Sequence, residues 1–237
     1  MAAHQRYREV VARGRARDDT IFLDIGCCSN VPSQFLWYSV FSLLLIVVGT
    51  DVRKLVFDGY PGNRVIATDI QVEYLQLGHK LYEDKDTCPI TFFSADIVNL
   101  AMPSNIECAT VHLDLAKFNI KDVSSFEQLW GRVTHIYTGM LFHLFDEEIQ
   151  YEIAKRLALL LDRRPSSGAI IFGIHEGREP AGRIENFTSR DRLVLLKFPD
   201  LCPNYLRSTF IIIVTIAKHP LRTLTLKLDA FVVFCFR

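Results

Sequence analysis

One stretch limits this chain more than any other: a strand-like run that ends on an acid and a glycine and is then interrupted. Residues 22–28 read F-L-D-I-G-C-C, and the run that completes them, G-T-D-V-R-K-L-V, begins only at Gly49. Between them, residues 35–48 form an apolar block, F-L-W-Y-S-V-F-S-L-L-L-I-V-V. Removing residues 30–48 joins the halves into D-I-G-C-C-S-G-T-D-V-R-K-L-V. That text describes a strand, a glycine-bearing turn and the start of a helix, whose backbone N–H groups can face an anionic or nucleotide ligand. The chain carries a ligand-site signature, and the insertion at 29–48 is expected to damage it.

Downstream, strand and helix signals alternate. Residues 64–69 (R-V-I-A-T-D) form a short β-rich run after a Pro61-Gly62-Asn63 turn. A helix is expected over 71–82, with Val72, Leu75 and Leu81 facing inward, then strands over 90–96 (I-T-F-F-S-A-D) and 133–137. The clearest helix is 146–164: acids at 146–148 suit its amino end, Arg163 and Arg164 its carboxyl end, and Ile149, Ile153, Leu157, Leu160 and Leu161 make one apolar stripe. Residues 169–174 (A-I-I-F-G-I) read as a strand buried on both faces. Strands that end in acids and alternate with helices imply an α/β fold, a doubly wound, Rossmann-like and mostly parallel sheet with helices on both faces. Residues 210–216 and 224–236 have strand composition and are expected to pair antiparallel at the sheet edge, within an atypical tail over 191–237.

Composition narrows the function. With 237 residues, 49% of them hydrophobic, the chain can build one substantial domain, 1–237. Basic and acidic residues balance at 27 each, so no global field favours nucleic acid or an anionic membrane. The six cysteines show no C-x-x-C pair and no zinc spacing, so reduced thiols and no metal site are expected. The apolar block is shorter than the roughly 18–20 residues a membrane span needs, so no stable span is expected. No secretory signal is visible, and the arginines within residues 6–17 fit a surface helix packing Tyr7, Val10 and Val11 better than a transit peptide. A cytoplasmic location follows as the expectation.

Asp24, Asp69 and Asp96 stand at the ends of three successive strands. A single strand-end aspartate is commonly a turn former or helix cap. Three in order, the first followed by a glycine turn, point to a nucleoside site, because one carboxylate can accept both hydroxyl protons of a ribose.

The spliced D-I-G-C-C-S-G-T-D-V-R-K-L-V, then V-I-A-T-D, F-F-S-A-D-I, M-L-F-H-L-F-D-E-E and A-K-R-L-A-L-L-L, resemble class I S-adenosylmethionine-dependent methyltransferases. The closest likeness is to the fungal secondary-metabolite branch, including methyltransferases of meroterpenoid pathways. The resemblance covers about residues 7–190 apart from the insertion; the segment after Arg190 departs from it, with no Trp after Trp130. It implies S-adenosyl-L-methionine as cofactor, with Asp24, Gly26, Gly49 and Asp51 around the methionine moiety, Asp69 on the ribose, and Asp96 and Ile97 at the adenine. Met140, Leu141 and His143 would face the sulfonium and the acceptor, with His143 as the candidate catalytic residue. It further implies methyl transfer to a carboxyl or hydroxyl oxygen of a polyketide- or terpenoid-derived small molecule, and a homodimer.

Two other readings stay open at this stage. A catalytically inactive methyltransferase-like protein would follow from a disrupted cofactor loop. A short-chain dehydrogenase would use Tyr151 and Lys155 (Y-x-x-x-K) with Thr138, but the glycine-rich turn near the amino terminus is missing and the pair fits the exposed side of the 146–164 helix. His143 between Phe142 and Leu144 is equally a core or helix-start histidine, and His175 and Glu176 are either acceptor contacts or loop residues.

Overall fold

The computed structural model describes residues 1–28, 49–103, 118–164 and 166–176, with four further strand segments at 183–184, 193–194, 207–212 and 231–234. The insertion, 29–48, and most of the tail lie outside the described residues.

Five parallel strands form the frame: β1 (Phe22–Ile25), β2 (Val65–Asp69), β3 (Thr91–Ser94), β4 (His135–Gly139) and β5 (Ile170–Glu176). Their order is β3-β2-β1-β4-β5. The chain runs outward on one side of β1, then crosses to β4 on the other, which makes the carboxyl ends of β1 and β4 a topological switch point. The segments β6 (Arg183–Ile184) and β7 (Leu193–Val194) pair with each other, while β8 (Arg207–Ile212) pairs antiparallel with β5, and β9 (Phe231–Phe234) antiparallel with β8.

Alternation along the strands separates two apolar layers. Leu23, Ile25, Ile66, Ile136 and Ile171 face one layer, with Ile153, Leu157 and Leu160 of α4 (Glu147–Leu160) packed on them. Phe22, Ala67, Tyr137 and Phe172 face the other, under Val10 and Val11 of α1 (Tyr7–Ala16) and Val52 and Leu55 of α2 (Thr50–Phe57). Each of these fully buried aliphatic or aromatic side chains contributes about 1.5–3 kcal/mol of transfer free energy. Asp24 belongs to the second face, since side chains alternate and it follows Phe22 by two.

Several boundaries differ from the sequence expectation. The helix expected to reach residue 164 ends at Leu160, because Leu161 turns extended and bridges Val133, and the Asp162 N–H donates to the Val133 carbonyl at 2.8 Å. In α3 (Val72–Tyr82), Leu75 is buried, but Val72 and Leu81 are each 43% exposed. Gly78 makes the close approach on the buried side instead. The fourth strand starts at His135 rather than Val133, and β5 runs on through His175 and Glu176, which are therefore strand residues rather than loop residues. Among the described residues no helix is long and apolar enough to cross a membrane.

Candidate functional site at the carboxyl edge

Asp24, Gly26, Asp69 and Met140 all fall where β1, β2 and β4 end, on the two sides of the switch point. Asp24 lies between Ala67 of β2 and Tyr137 of β4 in the sheet register. It is 1% exposed, and neither carboxyl oxygen has a hydrogen-bond partner. Burial pushes its ionisation well above the ordinary 3.8, and the nearby negative charges of Asp51 and Asp69 push in the same direction. A buried carboxyl left without a partner costs free energy. A cationic ligand group would remove that cost.

The glycine turn after β1 is closed by backbone bonds. The N–H groups of Gly26 and Cys27 both donate to the Thr68 carbonyl, at 2.9 and 3.0 Å. Gly26 has φ +75°, and Leu141 stands over it, 3.6 Å from where a Cβ would lie. The Gly49 N–H donates to the Cys27 carbonyl at 3.1 Å, so the two halves of the motif meet although residues 29–48 separate them in sequence. Gly49 caps α2 with φ +66°, and an added Cβ would lie 2.7 Å from the Arg53 guanidinium. Arg53 is held in turn by Asp84, through its Nε and Nη2 at 2.6 and 3.0 Å, and it stacks over Tyr82 and Phe92. This brace fixes the re-entry point of the loop.

Asp51, in the first turn of α2, accepts two hydrogen bonds from the Met1 ammonium at 3.0 and 2.9 Å. Asp69 accepts from the backbone N–H groups of Cys28 (3.1 Å) and Gln71 (3.0 Å), one on each oxygen. Burial raises the ionisation of Asp69, and these backbone bonds oppose the rise.

The third strand stops at Ser94, and Asp96 caps the short turn Ile97–Asn99 by accepting from the Val98 N–H at 3.0 Å. Ile97 is buried in the core. Met140 adopts φ +57°, a conformation that a non-glycine residue rarely holds, and its N–H donates to Ile174 at 2.7 Å. His143 sits in the single turn Phe142–Leu144, with its side chain outside the described residues.

Sequence reasoning missed Tyr137, which stands in register with Asp24 and is 3% exposed. Burial first, then the charges of Asp51 and Asp24, keep its phenol protonated far above the ordinary range. The signal was available: Tyr137 is the residue of the fourth strand that shares a face with the acid of the first. The dehydrogenase trio is not assembled in the manner its chemistry needs. Thr138 is fully buried in β4, whereas Tyr151 is 55% exposed on α4 with the Lys155 ammonium over its ring. A cavity of about 540 Å³ opens at the opposite, amino-terminal edge of the sheet, lined by residues such as Asp18, Arg64 and Arg132. It includes none of the strand-end acids.

The chain is a doubly wound α/β domain with acids at the carboxyl ends of its strands, and its sequence is similar to those of fungal methyltransferases. The chain is 28% identical over 183 residues to the O-methyltransferase phiE of a fungal species (strain ATCC 74256), covering 77% of this chain and 47% of that protein. It is 29% identical over 171 residues to the O-methyltransferase atr3 of Stereocaulon alpinum, covering 72% and 37%. It is also 25% identical over 162 residues to the methyltransferase ausD of Penicillium brasilianum, covering 68% and 43%. The chain thus spans about half the length, or less, of these relatives. No family model matches it. Solved structures similar to it include PKMT2 from Rickettsia typhi in complex with AdoHcy, at 16% identity over 75% of this chain and 26% of that one, with a TM-score of 0.41. Another is a SAM dependent methyltransferase from Aquifex aeolicus, at 13% identity over 73% and 65%, with a TM-score of 0.40. The resemblance to fungal secondary-metabolite methyltransferases stands.

Proposed function

We propose that the chain is an S-adenosyl-L-methionine-dependent methyltransferase that methylates an oxygen of a polyketide- or terpenoid-derived small molecule. The observation that carries the reading is the buried, unpartnered Asp24 carboxyl at the switch point, with Asp51 and Asp69 beside it. A ligand that is cationic at one end and carries a ribose at the other suits this arrangement. The curated relatives named O-methyltransferases support the choice of oxygen, and the branch resemblance supports the substrate class and a homodimer.

When bound, S-adenosyl-L-methionine supplies a methyl group on a positively charged sulfur. Asp24 and Asp51 would hold the methionine end through charge, and Asp69 would accept from the ribose hydroxyls. Gly26 and Gly49 keep the loop free of side chains where backbone approaches the ligand. The remaining task is alignment of the acceptor oxygen and exclusion of water. The segment Met140–Leu144 would do this, since Leu141 and Phe142 are buried and fix the turn that carries His143.

A carboxylate acceptor is already ionised at neutral pH and needs no base, and we assign the acceptor to that class. The His143→Ala variant then lowers the methylation rate only modestly, and the pH–rate profile keeps its shape. A rate loss of about 10²–10⁴-fold, with disappearance of a limb near the histidine pKa, would identify a hydroxyl acceptor deprotonated by His143. An inactive methyltransferase-like protein is the rival, and the meeting of Cys27 with Gly49 across the insertion weighs against it.

A further inference from the structure

We propose that Cys27, Cys28 and Asp69 form a binding site for a thiophilic divalent cation of the zinc class, built into the loop that follows β1. The two sulfurs lie 3.7 Å apart and both side chains are buried. Two thiolates on a tetrahedral ion with metal–sulfur bonds of about 2.3 Å are separated by about 3.8 Å, which matches the spacing of this pair. An Asp69 carboxylate oxygen lies within 4.8 Å of both sulfurs and supplies the third ligand.

A sulfur separation of this size is also an ordinary contact between packed thiols. Two features separate this pair from such packing. Asp69 is already oriented by the N–H groups of Cys28 and Gln71, the kind of support that fixes a ligating carboxylate. Beside it stands Asp24, almost fully buried with both carboxyl oxygens unpartnered among the described residues, so a dication here would face a carboxyl that can release its proton. Binding exchanges protons for metal without redox change: the cation takes up two thiolates and two thiol protons leave to solvent.

A second trio of suitable side chains, His79, Asp84 and Cys88, fits less well. Both Asp84 oxygens are held by the Arg53 guanidinium, at 2.6 and 3.0 Å, and that positive charge opposes a dication. Asp69 is also the residue assigned to the ribose, so the cation and S-adenosyl-L-methionine exclude each other. This exclusion rests on the proposed cofactor reading; the cation site itself does not. The cation would act as an antagonist of the cofactor and not as a participant in methyl transfer.

The test is to titrate the reduced full chain with Co²⁺, following the sulfur-to-cobalt charge-transfer absorption, and to collect X-ray absorption on the Zn²⁺-loaded protein. One ion per chain with two sulfur neighbours at about 2.3 Å is expected. The band should vanish in Cys27→Ser and in Cys28→Ser, persist in Cys88→Ser, and weaken by about 10–100-fold in affinity in Asp69→Asn. No band, or a one-sulfur environment that is lost in Cys88→Ser, overturns the site. The X-ray absorption uses the unaltered chain, so it decides even if the serine variants do not fold. Added S-adenosyl-L-methionine should displace Co²⁺. Cofactor binding that leaves the cobalt band unchanged overturns the exclusion, and a cobalt band in a chain that binds no cofactor supports the cation site while removing the cofactor reading.

Discussion

Replacing Asp24 by Asn is expected to stabilise the ligand-free protein while weakening its ligand binding. Burial raises the Asp24 ionisation well above 3.8, and neither oxygen has a partner. The folded pKa is therefore above the unfolded one. Stability contributed by the neutral carboxyl is present below 3.8 and is lost as pH rises toward the folded value. Holding a proton at pH 7 on a group that would ionise at 3.8 when unfolded costs at most about 4 kcal/mol, at about 1.4 kcal/mol per pH unit. Asn removes that term but leaves a buried amide unpartnered, which costs about 1–3 kcal/mol. The net gain should be at most about 1–3 kcal/mol at pH 7, or about 2–12 °C in Tm for a chain of this size. The assay is urea unfolding of both proteins between pH 5 and 8, without ligand. The stability difference should grow with pH in favour of Asp24→Asn. Parallel pH profiles would mean that Asp24 is ionised and compensated in the native protein, and the account of an orphaned carboxyl would fail.

Three further outcomes follow. His135 is fully buried, and burial holds its imidazole down to about 3, so the neutral form's contribution is complete above 6.5 and falls away as pH drops toward 3. Between pH 7 and pH 5 the unaltered chain should lose about 2 kcal/mol of stability relative to His135→Leu, the Asp24 contribution being common to both. Deleting residues 30–48 should leave S-adenosyl-L-methionine affinity equal to or higher than that of the full chain, because Cys27 and Gly49 already meet, and should raise solubility; weaker binding by the shortened chain would mean that the insertion contributes to the site. Chelator treatment should maintain or raise methylation, since the proposed cation competes with the cofactor, and a loss of activity on chelation would contradict that role.

Much of the frame is legible in the sequence because it rests on short-range periodicity. The apolar stripe Ile153, Leu157, Leu160 is buried as the helical spacing requires, and Tyr7, Val10 and Val11 are buried on α1. Asp24 and Asp69 reach the carboxyl edge because each lies in the last two residues of a short apolar strand of the parallel sheet. What was not legible depends on partners distant in sequence. The early end of α4 comes from the bridge between Leu161 and Val133, which no helical signal encodes. Val72 and Leu81 look like inward residues by composition, yet Leu75 and Gly78 supply the contact face. Asp96 ends as a turn cap because β3 stops two residues before it. The closure of the loop across residues 29–48 is a single backbone bond, visible only once Cys27 and Gly49 are placed.

The most direct test of the central claim is calorimetric titration of the full chain, stripped of metal, with S-adenosyl-L-methionine, alongside Asp69→Asn. Asp69 would form charge-assisted hydrogen bonds to the ribose worth about 1.5–3 kcal/mol, so the variant should bind at least about tenfold more weakly. Asn keeps only one of the two oxygens that accept backbone N–H groups, so the variant's urea unfolding curve is measured beside the titration to show that it is folded. One site per chain, weakened in this way, is the predicted result. Absence of binding by the folded full chain, or equal affinity in Asp69→Asn, would contradict the account.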